Sequence, residues 1–134
     1  GNLYGQELKI DQKYNDVNLI IPVPLHPDKE KKRGYNQSEM FALGLSKSMD
    51  APCDSKLLIR NHASETQTKK SKYERWENVN SIFEITDEAR LKDKHILLVD
   101  DVITTGATIE ACAQHLLSVP GTRVSIAAIA CSIN

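Results

Sequence analysis

Short apolar runs alternate with amphipathic stretches along this chain, and that alternation sets the expected elements. Asn18 to Leu25 carries Leu19, Ile20, Ile21 and Val23, interrupted by Pro22 and Pro24, which predicts a strand at a sheet edge or one that ends at Pro22. His26 to Tyr35 is a basic loop with Lys29, Lys31, Lys32 and Arg33. Phe41, Leu45 and Met49 fall on one stripe, predicting a helix over Asn36 to Met49. Lys56 to Arg60 and Ile82 to Ile85 read as short strands. The polar stretch between them, Asn61 to Ser81, holds a predicted helix capped by Ser71 with Glu74 three residues on. Ile96 to Val99 is an uninterrupted apolar strand. A helix follows over Thr108 to Val119, with Ile109, Cys112, Ala113, Leu116 and Leu117 on its stripe. After a turn at Pro120 and Gly121, Val124 to Ala130 is the last strand, while Gly1 to Tyr14 is polar with weak helical character. Strands alternating with helices imply βαβ units, a parallel sheet and an α/β class. Ligands of such sheets bind at the carboxyl ends of the strands.

One segment occupies such an end. His95 to Thr108 reads HILLVDDVITTGAT: a strand, the acidic pair Asp100 and Asp101, a hydroxyl and glycine loop, then a helix start. A helix N-terminus offers unpaired N–H groups and the positive end of the macrodipole to a phosphate. Gly106 permits close backbone approach, and Thr104, Thr105 and Thr108 add hydroxyl donors. The carboxylates repel that phosphate, so they suit what lies beside it: sugar hydroxyls, or magnesium reached through its waters. A ligand with a phosphate, a diol and a metal is a phosphorylated ribose. The bland alternative is a solvated Asp-Asp strand end followed by an ordinary helix cap.

Composition narrows the field. A chain of 134 residues suits one domain, spanning residues 1–134, and buries about two-thirds of its unfolded surface. A formal net charge of -1 gives no global field toward nucleic acid or membrane. No apolar run approaches a membrane span, and no signal peptide is visible. The three cysteines, Cys53, Cys112 and Cys131, have no CxxC spacing, which argues against disulfides and zinc and for the cytoplasm. Cys112 and Cys131 read as small core residues.

Two further segments carry charge. The basic run after Ile21–His26 projects toward the same sheet edge, either as an anion site or as a solvated loop. Ser64 to Val79 holds Lys69, Lys70, Lys72 and Arg75, either as a lid that clamps a pyrophosphate or as an exposed helix with a Lys70–Glu74 pair.

The acidic segment resembles the phosphoribosyl pyrophosphate motif of type I phosphoribosyltransferases. Together with VPLH at Val23 to His26, RGYNQ at Arg33 to Gln37, and Gln67, Thr68, Ser71, Arg75, Asn78, Val79 and Phe83, it resembles the competence protein F family of phosphoribosyltransferase-like proteins. The resemblance implies the type I phosphoribosyltransferase fold, a mostly parallel sheet flanked by helices with a mobile polar loop over the site. It implies that Asp100 and Asp101 hold the ribose 2- and 3-hydroxyls. Val102, Ile103, Thr104, Thr105, Gly106, Ala107 and Thr108 would then hold the 5-phosphate side. Val23 to His26, with Pro24, Leu25 and His26 as substrate contacts, would form the pyrophosphate loop, and Arg33, Asn36 and Gln37 would complete those contacts. Arg75 and the neighbouring lysines would face the leaving group, and Trp76 would report on closure of that segment.

The chain also departs from the family. The N-terminal zinc ribbon is absent and Gly1 begins inside a family helix, so a truncated or shortened chain is expected. Lys70 stands where an apolar residue is common. Thr104 stands where relatives acting on 6-oxopurines carry a carboxylate, which argues against hypoxanthine or guanine as acceptor.

The implied activity is transfer of ribose 5-phosphate from magnesium phosphoribosyl pyrophosphate to a nucleophile the sequence does not identify. Two rivals are a non-catalytic sensor of that ligand and an accessory to DNA uptake acting through protein partners. Neither an oligomeric state nor a membrane role is legible.

Overall fold

The computed structural model describes residues 16–25, 34–61 and 82–131. Three parallel strands form its main sheet: β1 (Leu19–Pro22), β4 (His95–Ile103) and β5 (Arg123–Cys131), in the order β1-β4-β5. A separate antiparallel ribbon joins β2 (Leu58–Arg60) to β3 (Phe83–Ile85), the exception in a mostly parallel fold. Among the described residues two α-helices complete the frame, α1 (Gln37–Met49) and α2 (Ala107–Leu117).

β4 is the centre because both its faces are covered. Ile96, Leu97, Leu98 and Val99 are fully buried, which is why this strand is a continuous apolar run rather than an alternating one. Its side chains alternate between two cores. Ile96 and Leu98 join Leu19, Ile21, Leu58, Phe83 and the Ile109, Cys112 and Leu116 stripe of α2. Leu97 and Val99 join Ile20, Ala127 and the Phe41, Leu45 and Met49 stripe of α1. Each such side chain contributes about 1.5–3 kcal/mol on burial.

Local chemistry fixes the ends. The Asn36 side chain accepts from Ser38 N at 3.0 Å and caps α1. Asp50, at φ 56°, closes α1 in the left-handed region. Pro22 is the last residue of β1, and the next residue still donates from Val23 N to Val99 O at 2.7 Å. At the amino end of β4, His95 is buried with both ring nitrogens engaged, Nδ1 2.6 Å from Asp16 Oδ1 and Nε2 2.8 Å from Ser125 Oγ. Arg123 pairs with the same aspartate. This acid–imidazole–hydroxyl series resembles a hydrolytic triad in composition, but none of its members lines a described cleft. It ties β4 to β5 and to the chain entering β1.

Several expectations need correction. β4 runs to Ile103, so the acidic pair lies inside the strand rather than after it; β5 extends far enough to pair Ala128 with Asp100 and Cys131 with Ile103. α2 begins at Ala107, capped by Gly106. Leu117 is 54% exposed, because eight residues at 100° each carry it about 80° round from Ile109. Cys131 is exposed at the carboxyl end of β5 and not in the core. Cys112 is buried as expected, and burial pushes its thiol up to about 12. No helix among the described residues is long and apolar enough to cross a membrane.

Candidate functional site

Because β1 and β4 are parallel and in register from Leu19↔Ile96 to Pro22↔Val99, their carboxyl ends open at one edge of the sheet. A cleft of about 420 Å³ lies there, within the range of small-molecule sites. Its floor is Asp100 to Ile103 of β4, one wall is the loop Thr104 to Gly106 with the start of α2, and the opposite wall is Val23 to Leu25 with the start of α1.

The acidic pair is held by hydrogen bonds from Ser38 and from the adjacent backbone. Ser38 donates from Oγ to Asp100 Oδ1 at 3.1 Å, and the same carboxylate oxygen accepts from Asp101 N at 2.9 Å. Asp101 Oδ1 accepts from Val102 N at 2.9 Å. Burial pushes the Asp100 carboxyl up to about 6, with the adjacent Asp101 adding to the rise and the Ser38 and backbone donors opposing it. Asp100 is therefore ionised above pH 6, where its carboxylate can only accept hydrogen bonds. Among the described residues, no three His, Cys, Asp or Glu side chains converge as a metal cage. Two adjacent carboxylates with part of their oxygen already engaged suit magnesium carried on a ligand's phosphates and waters, not one enclosed by protein.

The wall formed by the loop turns at Gly106, whose φ of +83° falls in the left-handed region. A side chain there would meet no protein atom within 4 Å, so the loop backbone is open to the cleft. The first intrahelical bond of α2 runs from Glu110 N to Gly106 O at 2.9 Å. The amides before it are the orphan donors of a helix start. Ala107 N reaches Thr105 Oγ1 at 3.3 Å.

The structure brings Pro24, Leu25, Asn36, Gln37, Asp100, Asp101 and all of Val102 to Thr108 to one cleft. Asn36 spends both ends of its side chain on the fold, as cap of α1 and as donor from Nδ2 to Val23 O at 3.2 Å; it clasps the Val23 loop to α1. His26, Arg33 and Arg75 lie outside the described residues, as do Lys69, Lys70, Lys72 and Trp76. Sequence reasoning missed Ser38, Arg60 and Ile109 as lining residues. Ser38 had a signal, since it opens the same helix as Asn36 and Gln37; Arg60 had none beyond closing a strand before a polar stretch. Beside Asp101, an apolar groove of about 470 Å³ is formed by Tyr35, Met40, Val102 and Ile129, all exposed.

The cleft's relatives are known. Residues 36–132 match the phosphoribosyl transferase domain family model. The chain is 37% identical over 98 residues to the DNA utilization protein YhgH of Escherichia coli O157:H7, covering 73% of this chain and 42% of that protein. It is 34% identical over 98 residues to competence protein F of Haemophilus influenzae, covering 72% of this chain and 43% of that one. The chain thus spans less than half the length of these curated relatives. In structure it is similar to a purine phosphoribosyltransferase from Pyrococcus horikoshii, with a TM-score of 0.58 at 19% identity over 96% of this chain and 69% of that one, a likeness of fold. The parallel β1-β4-β5 sheet, the acidic pair on its central strand and the matched residues agree: this chain belongs to the phosphoribosyl transferase domain family, in company with the competence protein F and DNA utilization proteins.

Proposed function

We propose that the cleft binds magnesium phosphoribosyl pyrophosphate and transfers ribose 5-phosphate to a nucleophile, releasing pyrophosphate. The observation that carries this reading is the shared cleft of two opposite chemistries: acceptor carboxylates at Asp100 and Asp101, and an open donor loop at Gly106. Asp100 and Asp101 accept from the ribose 2- and 3-hydroxyls. The Thr104 to Thr108 loop and the first amides of α2 hold the 5-phosphate. The C1–oxygen bond breaks as its electron pair leaves with pyrophosphate, a C1–nucleophile bond forms, and the nucleophile's proton is released. Asp100 and Asp101 would hold magnesium, and the ion would supply charge neutralisation for the pyrophosphate. The protein's own contribution is orientation and electrostatic stabilisation of the departing charge. Of the residues outside the described region, Arg75 is the cation the family resemblance assigns to the leaving group.

The acceptor would lie on the Asp101 side, where Tyr35, Met40, Val102 and Ile129 supply apolar surface. A screen of amines and nucleobases for pyrophosphate release tests the reaction directly. Release with one acceptor, abolished in Asp101→Asn, supports it; binding without release for every acceptor favours the second reading. In that reading the chain binds the same ligand as a sensor and acts in DNA use through partners, as the names of the DNA utilization and competence relatives suggest.

A further inference from the structure

Among the described residues three polar side chains are buried, Asn36, Ser38 and His95, and the first two stand at the start of α1. Asn36 caps the helix and clasps the Val23 loop. Ser38 is the second residue of α1 and only 4% exposed. A serine inside a helix commonly bonds back to the carbonyl four residues before it. For Ser38 that residue is Gly34, which precedes the helix, so the hydroxyl reaches across to β4 instead.

There it makes two contacts at once. Ser38 Oγ donates to Asp100 Oδ1 at 3.1 Å and accepts from Asp101 N at 3.2 Å. Asp101 N also reaches Asp100 Oδ1, at 2.9 Å, so hydroxyl, amide and carboxylate close a ring. Both of these donors fall on Oδ1, which fixes the plane of the half-buried carboxylate and turns Oδ2 to the ligand. A buried hydroxyl costs free energy unless it is bonded, and alanine is the better helix former. The Ser38 hydroxyl therefore serves the acidic pair rather than the helix that carries it.

Building on the reading of the cleft as a phosphoribosyl site, we propose that Ser38 is a positioning residue, whose hydroxyl holds the Asp100 carboxylate and the Asp101 backbone in the orientation that accepts the ribose hydroxyls. It acts through Asp100, since so buried a side chain presents almost no surface of its own to a ligand. An acceptor already held in place costs less to engage than one free to rotate. Without the hydroxyl, Asp100 Oδ1 keeps only the Asp101 amide, and each productive contact must reorder the side chain. The effect falls on ligands that carry the diol. It spares a bare phosphate on the Thr104 to Thr108 loop, which forms another wall of the cleft.

Ser38→Ala removes the hydroxyl and Ser38→Thr returns it. Calorimetric titrations with magnesium phosphoribosyl pyrophosphate, ribose 5-phosphate and inorganic phosphate, on variants shown to be folded by circular dichroism, read the effect. Ser38→Ala should bind the two ribose ligands about three- to tenfold more weakly and inorganic phosphate as wild type does, with Ser38→Thr recovering most of the loss. In an Asp100→Ala background Ser38→Ala should cause no further loss, because the group it orients is gone. In the ligand-free protein the Asp100 carboxyl-carbon resonance should shift between wild type and Ser38→Ala. The double variant and the resonance carry the test if the extra methyl group of threonine does not fit so buried a position. Unchanged affinity of Ser38→Ala for the ribose ligands, an equal loss for inorganic phosphate, a full additional loss in the Asp100→Ala background, or an unmoved Asp100 resonance each overturns the role of Ser38. With phosphoribosyl pyrophosphate still bound by the wild type, any of these results leaves the cleft reading standing. No binding of that ligand by the wild type overturns the cleft reading, and the role of Ser38 with it.

Discussion

Replacing Asp100 with asparagine should stabilise the free protein at pH 8 while weakening its ligand. Folding places this carboxyl in a half-buried position beside Asp101, and burial first, then the neighbour, raises it from 3.8 to about 6. That rise corresponds to about 3 kcal/mol against the ionised form, which solvent screening at a partly exposed site reduces to about 1–2 kcal/mol. The sign follows from proton binding. Between pH 4 and 6 the folded state holds the proton that the unfolded state has released, so the Asp100 contribution to stability falls as pH rises through that window. Above pH 6 the penalty is complete; below pH 4 it vanishes. Asparagine keeps the oxygen that accepts from Ser38 and from Asp101 N and removes the charge. Urea denaturation at pH 8 should therefore give a midpoint higher by about 1 M for the variant, using a typical m-value for a small domain, and the gain should shrink to nothing by pH 4. An equal or lower midpoint at pH 8, or a gain that persists unchanged at pH 4, would refute the assignment of burial and like charge as the cause.

The same titration predicts that affinity for magnesium phosphoribosyl pyrophosphate falls as pH drops below about 6, because a protonated Asp100 loses acceptor capacity; calorimetry across pH 5–8 reads it. Gly106→Ala should cost about 1–2 kcal/mol of stability through its left-handed φ, with no internal clash, and should abolish affinity for ribose 5-phosphate by placing a methyl group in the cleft. Gly121→Ala should cost about 1–3 kcal/mol in thermal melts, since φ is +80° and the new methyl meets Asp93, yet leave ligand affinity untouched.

What the sequence revealed depended on range. Asp100 to Thr108 is contiguous, and strand, acids, glycine and helix start are each local signals, so most of the cleft's floor and one wall were legible. The stripes of α1 and α2 were legible because helical periodicity marks a buried face, although Leu117 at the margin of its stripe was not resolved by periodicity. The extension of β4 through its acidic pair was hidden, because aspartates disfavour strands and only pairing with Ala128 to Cys131 keeps them extended. The burial of Cys131 was misread because an apolar run does not reveal whether the sheet face is covered along its whole length. Ser38 and Arg60 reach the site across the fold: Ser38 is 62 residues from its partner Asp100, and no local pattern encodes such a contact. The antiparallel β2–β3 ribbon is likewise invisible to a reading that counts alternation alone.

The measurement that bears most directly on the function is calorimetric titration of the wild-type chain and Asp101→Asn with magnesium phosphoribosyl pyrophosphate at pH 8. Removing one charged acceptor of a ribose hydroxyl should weaken binding by about 1.5–3 kcal/mol, roughly ten- to a hundredfold in affinity, with the melting temperature of the free variant little changed. Binding of equal strength in the two proteins, or no binding by the wild type at millimolar ligand, would contradict the account.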